Sequence, residues 1–186
     1  MYLIKGARKP EGERRGGESP RPSTPKQECQ KQIQITTAMI TTQEITRKRF
    51  TLSQTETQDY YGRTLHRVEY EDGTIGGWIE REDNLKGEAR VLEEAVVCQY
   101  AVVGGRATIK GTATICGQAT VEGEAVVEDA LVQDHSVVKG KALVEGYSEI
   151  IGNAVVCGNA HIEDARVGGL AQVGGFTSIA GGEIDL

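Results

Sequence analysis

The segment GTATICGQATVEGEAVV, Gly111–Val127, decides the fold. Alanine recurs every six residues, at Ala113, Ala119 and Ala125. An aliphatic residue follows two places later, at Ile115, Val121 and Val127, and a glycine sits two places before, at Gly111, Gly117 and Gly123. A period of six fits neither the turn of an amphipathic helix nor the alternation of a lone strand. It fits a coil of three short strands joined by tight corners, in which each unit forms one side of a triangular prism. The branched aliphatic then points inward onto its copy one coil away. The small residue fills a cramped corner, and glycine tolerates the turn dihedrals. Ladder hydrogen bonds join successive coils at a spacing of about 4.8 Å.

Followed outward from this segment, the aliphatic series runs from Val91 to Ile179 and has sixteen members. Every step is six residues except two of five, Val127 to Val132 and Ile162 to Val167, and both exceptions read Glu-Asp-Ala. The residue two before each aliphatic is alanine except at Ser136, Ser148 and Thr177. Such a repeat outranks local propensity in deciding a fold. It predicts an all-β protein, a parallel β-helix of about five coils over residues 87–186.

Two segments precede the repeats. Residues 46–86 predict a small β-hairpin cap. TRKRFTLSQT and RTLHRVEY alternate, with Phe50, Leu52, Leu65, Val68 and Tyr70 as inward residues. Trp78, beside Gly76 and Gly77, is expected to plug the open end of the prism. Residues 1–45 hold all four prolines and lack apolar periodicity. Such a stretch buries too little surface to offset its ordering entropy, which predicts a disordered or extended arm. Gly181–Leu186 closes the far end only briefly, which suggests stacking or docking there.

The net charge of −6 is unevenly spread. Residues 1–49 carry eleven Lys/Arg against five Glu, and the rest carries ten against twenty-two Asp/Glu. A basic arm thus precedes an acidic body. Nucleic acid is not expected as a partner except through that arm. No stretch reaches the roughly 18 apolar residues of a membrane helix, so no membrane partner is expected. The apolar run near Met1 is too short for a signal-peptide core. The four cysteines form no compact disulfide framework. These features point to a reducing, cytoplasmic setting.

Assigning every third unit to one face yields outward columns. One face carries Val102, Thr120, Val137 and Val155, followed by Gln172. A second carries Val96, Thr114 and Leu131, with Cys98, Cys116 and Ile151 beside them. An exposed aliphatic column is hard to explain on a monomer. A homotrimer with one of these faces as its interface is expected, with Val102, Thr120, Val137 and Val155 as the interface candidates. The third face carries Lys110, Glu128, Glu145 and Glu163, with Asp129 and Asp164 at the two short corners. Glu128, Asp129, Glu145, Glu163 and Asp164 are candidates for binding a protein partner. Cys98 and Cys116, one coil apart, read as buried thiols.

The sixteen units in near-perfect phase resemble the hexapeptide-repeat, left-handed parallel β-helix proteins. More narrowly, the hairpin, GGWIEREDNLKGEARV (Gly76–Val91) and the repeats GNAVV (Gly152–Val156) and GNAHI (Gly158–Ile162) resemble the YdcK-like proteins of phages and prophages. The resemblance implies the left hand, trimer formation and a bacterial cytoplasmic or virion-associated location. It supplies no established activity. Many hexapeptide-repeat proteins are acyl-CoA-dependent acyltransferases with a coil histidine as general base, and His161 is the catalytic candidate that this implies. A zinc hydratase of the same fold needs three converging histidines. His66, His135 and His161 are too widely spaced, so neither a metal nor any cofactor is expected. The reading favours a non-enzymatic structural or protein-binding module. An acyltransferase and an acidic mimic of nucleic acid are the alternatives.

Overall fold

The computed structural model describes residues 49–186. The arm predicted over 1–45, Cys29 and the first residues of the cap lie outside them. The described chain is all β, and its only helical element is a 3-10 turn at Glu82–Asn84. Strands β1 (Phe50–Tyr60), β2 (Arg63–Tyr70) and β3 (Ile75–Ile79) form an antiparallel meander, and β3 then pairs in parallel with Val96–Val97 of the coil. Everything beyond is a parallel solenoid of three sheets.

Each sheet is one face of the prism. The cap face continues from β3 through strands at 96–97, 114–115, 131–132, 149–150, 166–168 and 183–185. The ionic face has six strands, at 90–91, 108–110, 126–128, 143–145, 161–163 and 178–180. The valine face has five, at 102–103, 120–121, 137–138, 155–156 and 172–173. The register places every inward aliphatic on its copy one coil away. On the valine face the stack is Val103, Val121, Val138, Val156 and Val173. From Val91 to Val167 every member of the aliphatic series is fully buried. A six-residue unit achieves this because two or three strand residues leave just enough chain for a corner.

The solenoid is longer than the repeat spacing suggests, about six turns rather than five. Ile79 and Leu85 continue the six-residue phase upstream of Val91 and are buried, Ile79 beside Val97 and Leu85 bridged to Val103. Their units lack the alanine that marked the others: Gly77 and Asp83 stand two places before them. At the other end Glu183–Asp185 is not a brief closure. It is a further coil strand, paired with Arg166–Gly168 and placing Ile184 beside Val167.

Tyr70, not Trp78, closes the upstream end of the core. Its ring packs on the core with Phe50, Leu52 and Val68. Its hydroxyl accepts the Val91 N–H at 2.7 Å and donates to the Val91 carbonyl at 3.1 Å, satisfying the edge of the first ionic-face strand. The two glycines of GGW make room for this contact. A Cβ on Gly76 would lie 2.6 Å from the Val91 carbonyl oxygen and 2.7 Å from the Tyr70 ring. One on Gly77 would lie 2.4 Å from the Ala95 carbonyl oxygen. Strand alternation then turns Trp78 outward, with Arg67 stacked 4.5 Å from its ring centre and its indole N–H donated to Glu94 at 2.9 Å.

The three five-residue steps all fall on one edge, between the ionic and cap faces. The third is Ile179 to Ile184. The Glu-Asp-Ala wording has a physical origin there. At an ordinary corner the residue after the left-handed turn residue donates its N–H to the next coil's corner carbonyl, as Glu94, after Glu93, does to Gly111 at 3.1 Å. A shortened corner offers no such carbonyl. The Asp129 carboxylate takes its place, accepting the Thr112 N–H at 2.7 Å and the Thr112 hydroxyl at 3.0 Å. Asp164 does the same for the Tyr147 N–H at 3.0 Å. Both aspartates adopt left-handed backbone, φ 52° and 49°, which Asp tolerates better than most residues.

Candidate functional site

The ionic face carries the densest chemistry. Strands 143–145 and 161–163 pair in parallel, with Leu143 opposite His161 and Glu145 opposite Glu163. Val144 and Ile162 point inward, so these four flanking side chains share the outer surface. The His161 imidazole Nε2 lies 2.7 Å from a Glu145 carboxylate oxygen. Glu145, His161 and Glu163 each offer a donor atom within 4.8 Å of the other two.

Much of the charge on this face is taken up in pairs. Lys110 Nζ lies 2.5 Å from the Glu128 carboxylate, its register partner one coil away. That contact raises the Lys110 pKa. Glu145 is paired with His161. Asp129 is committed to Thr112, whose backbone and hydroxyl donors hold its pKa below the ordinary Asp range. Asp164 is committed to Tyr147. Of the five acidic partner-binding candidates, Glu163 alone has a carboxylate without an ion-pair or hydrogen-bond partner among the described residues.

The two aliphatic columns behave differently. On the cap face the hairpin folds over the outer surface. Leu65, Val96 and Cys98 form a buried cluster with Tyr60, Trp78 and Cys116 against it. Burial raises the Tyr60 pKa, and Thr114 nearby offsets part of that rise. Leu65 therefore belongs to the outside of this sheet and not to the prism core. Below Leu131 the same column turns charged: Arg166 sits between Glu149 at 2.6 Å and Glu183 at 3.1 Å. On the valine face Val102, Thr120, Val137 and Val155 form a continuous half-buried column in strand register, followed by exposed Gln172. Nothing in the described chain lies over it as the hairpin lies over Val96.

Cys98, Cys116 and Cys157 are free thiols. Burial, with Cys116 as the second cause, pushes Cys98 up to about 11, and burial also raises Cys116. Neither is a thiolate near neutral pH. The described histidines do not converge. His66 in β2 bonds the Ser53 carbonyl at 3.0 Å, His135 is exposed at a corner between the cap and valine faces, and His161 is on the ionic face. Column assignment from the repeat phase located the face holding Glu145, His161 and Glu163. Which of these neighbouring donors bond one another depends on side-chain reach across coils, which the phase does not fix.

No protein-family model matches the chain, and no curated protein matches it.

Proposed function

We propose that the chain is a non-enzymatic structural or protein-binding module that assembles as a homotrimer through its valine face. The half-buried column Val102, Thr120, Val137 and Val155 carries this reading. A flat, rigid apolar strip of this kind gains stability by burial against another surface. The other faces are poorly suited to it. The cap face is covered by its own hairpin at one end and charged at the other, and the ionic face sets its outward Val126 and Leu143 among charged side chains. A second copy is the natural occupant, because three-fold packing of one repeated face buries identical columns together. The residue pattern of the YdcK-like group fits a phage or prophage setting, in a bacterial cytoplasm or on a virion. Light scattering on the purified full chain tests the assembly. A discrete trimer that Val137→Arg dissociates supports the reading, and a wild-type monomer overturns it.

A second reading rests on the 2.7 Å contact between His161 and Glu145. A carboxylate holding an imidazole by one nitrogen leaves the other free to act as a base, as an acyltransferase needs. Saturable binding of an acyl-CoA that is lost in His161→Ala would move the assignment to that class.

A further inference from the structure

We propose that Glu145, His161 and Glu163 form a binding site for a first-row divalent metal ion of the zinc, cobalt or nickel type. The parallel register sets Glu145 and Glu163 directly opposite one another. Like charges so placed repel, and every ladder step of the solenoid holds them at a separation of about 4.8 Å. His161 shares one strand and one face with Glu163 and already reaches Glu145. The three donor atoms lie within 4.8 Å of one another, the only such trio among the described residues.

Three features separate this trio from an ordinary acidic surface. First, the other carboxylates nearby are consumed: Glu128 by Lys110, Asp129 and Asp164 by backbone N–H groups. The Glu163 carboxylate is left without a partner among the described residues, beside the bonded Glu145–His161 pair. Second, the donors stand on strands that are tied down at their C-terminal ends. The Glu145 carbonyl accepts the Ser148 hydroxyl at 2.6 Å, and the Glu163 carbonyl accepts the Gly181 N–H at 2.8 Å. The corner between them is pinned by Asp164 on Tyr147. Sites on regular elements hold ligand geometry better than sites on loops. Third, the donor chemistry is selective. Calcium and magnesium take oxygen ligands almost alone, whereas imidazole with carboxylates suits zinc and its neighbours.

Metal–ligand bonds of about 2.0–2.2 Å require the donors to close by a small movement of exposed carboxylate rotamers. The imidazole must coordinate as the neutral base, so a metal ion on Nε2 takes the place of the His161–Glu145 hydrogen bond, with the ring proton on Nδ1. Three protein ligands leave further positions to water.

The test uses the full chain under reducing conditions, titrated with Co²⁺ by calorimetry and by amide NMR. One equivalent binds, and the amide signals of residues 143–145 and 161–163 are attenuated first. Glu163→Gln and His161→Asn each weaken binding by on the order of a hundredfold, without changing the melting temperature in chelator. Mg²⁺ at equal concentration produces no shift. No saturable binding, attenuation centred on the cysteines, or binding unchanged in both variants overturns the proposal.

Discussion

Val137 and Val138 are adjacent, identical in chemistry and on the same strand, yet one faces out and the other in. Replacing each by alanine isolates what burial contributes. Both variants lose the same β-propensity, so that cost cancels in the comparison. Val138 is fully buried, stacked between Val121 and Val156. Removing one buried methyl from a core costs about 0.5–1.5 kcal/mol, so the two lost in Val138→Ala cost about 1–3 kcal/mol. The coils above and below cannot collapse into the gap, because the ladder fixes their spacing. Val137→Ala at a half-exposed site costs less, about 0.5 kcal/mol. The difference corresponds to about 2–8 °C in melting temperature for a domain near this size. The assay is thermal denaturation by circular dichroism at a concentration low enough that light scattering shows monomer. A loss for Val137→Ala equal to or larger than that for Val138→Ala would refute the facing assignment. In the proposed trimer the order of effects on assembly inverts at high concentration: Val137→Ala is expected to weaken it, and Val138→Ala is not.

Other expectations follow from single corners and thiols. Gly117→Ala is destabilising by more than about 2 kcal/mol, because φ is +72° and the new Cβ would sit 2.7 Å from the Asp134 backbone nitrogen. Gly175→Ala, at φ +68° with nothing within 4 Å, costs only about 1 kcal/mol, and denaturant unfolding ranks the two. Asp129 has a pKa lowered by its hydrogen bonds to Thr112, so its contribution is present above the ordinary Asp value and fades as pH falls through the folded value. The stability gap between wild type and Asp129→Gly, which keeps the turn dihedral but removes the carboxylate, therefore narrows between about pH 5 and pH 2 in urea titrations. With Cys98 at about 11, its alkylation by iodoacetamide at pH 8 is slow in the native protein and becomes fast on unfolding, read by peptide mass mapping.

Much of the architecture was legible in the residues. The six-residue phase identified the three faces, the inward aliphatics, the small corner residues and the two Glu-Asp-Ala steps from the chain alone. It did so because a solenoid is quasi-one-dimensional: each coil contacts only its neighbours, so spatial proximity is sequence separation by 17 or 18 residues. The misreadings fall where that rule stops. The phase at Ile79 and Leu85 was hidden because Gly77 and Asp83 replace the alanine marker. Trp78 drew attention as the plug by its size, but strand alternation turns it outward and leaves Tyr70 to close the core. The hairpin over Val96 and Cys98 could not be inferred, since its contacts follow no repeat.

By itself, then, the sequence determined the period, the faces and the core, since one local rule of spacing and side-chain size repeats along the chain. Only the tertiary structure decided which charges cancel, which aspartates are spent on orphaned backbone N–H groups, and which apolar column the protein covers with its own hairpin. Those outcomes depend on side-chain reach across coils and on a non-repeating cap. A periodic pattern fixes the neighbours of a residue but not the bond it makes with them.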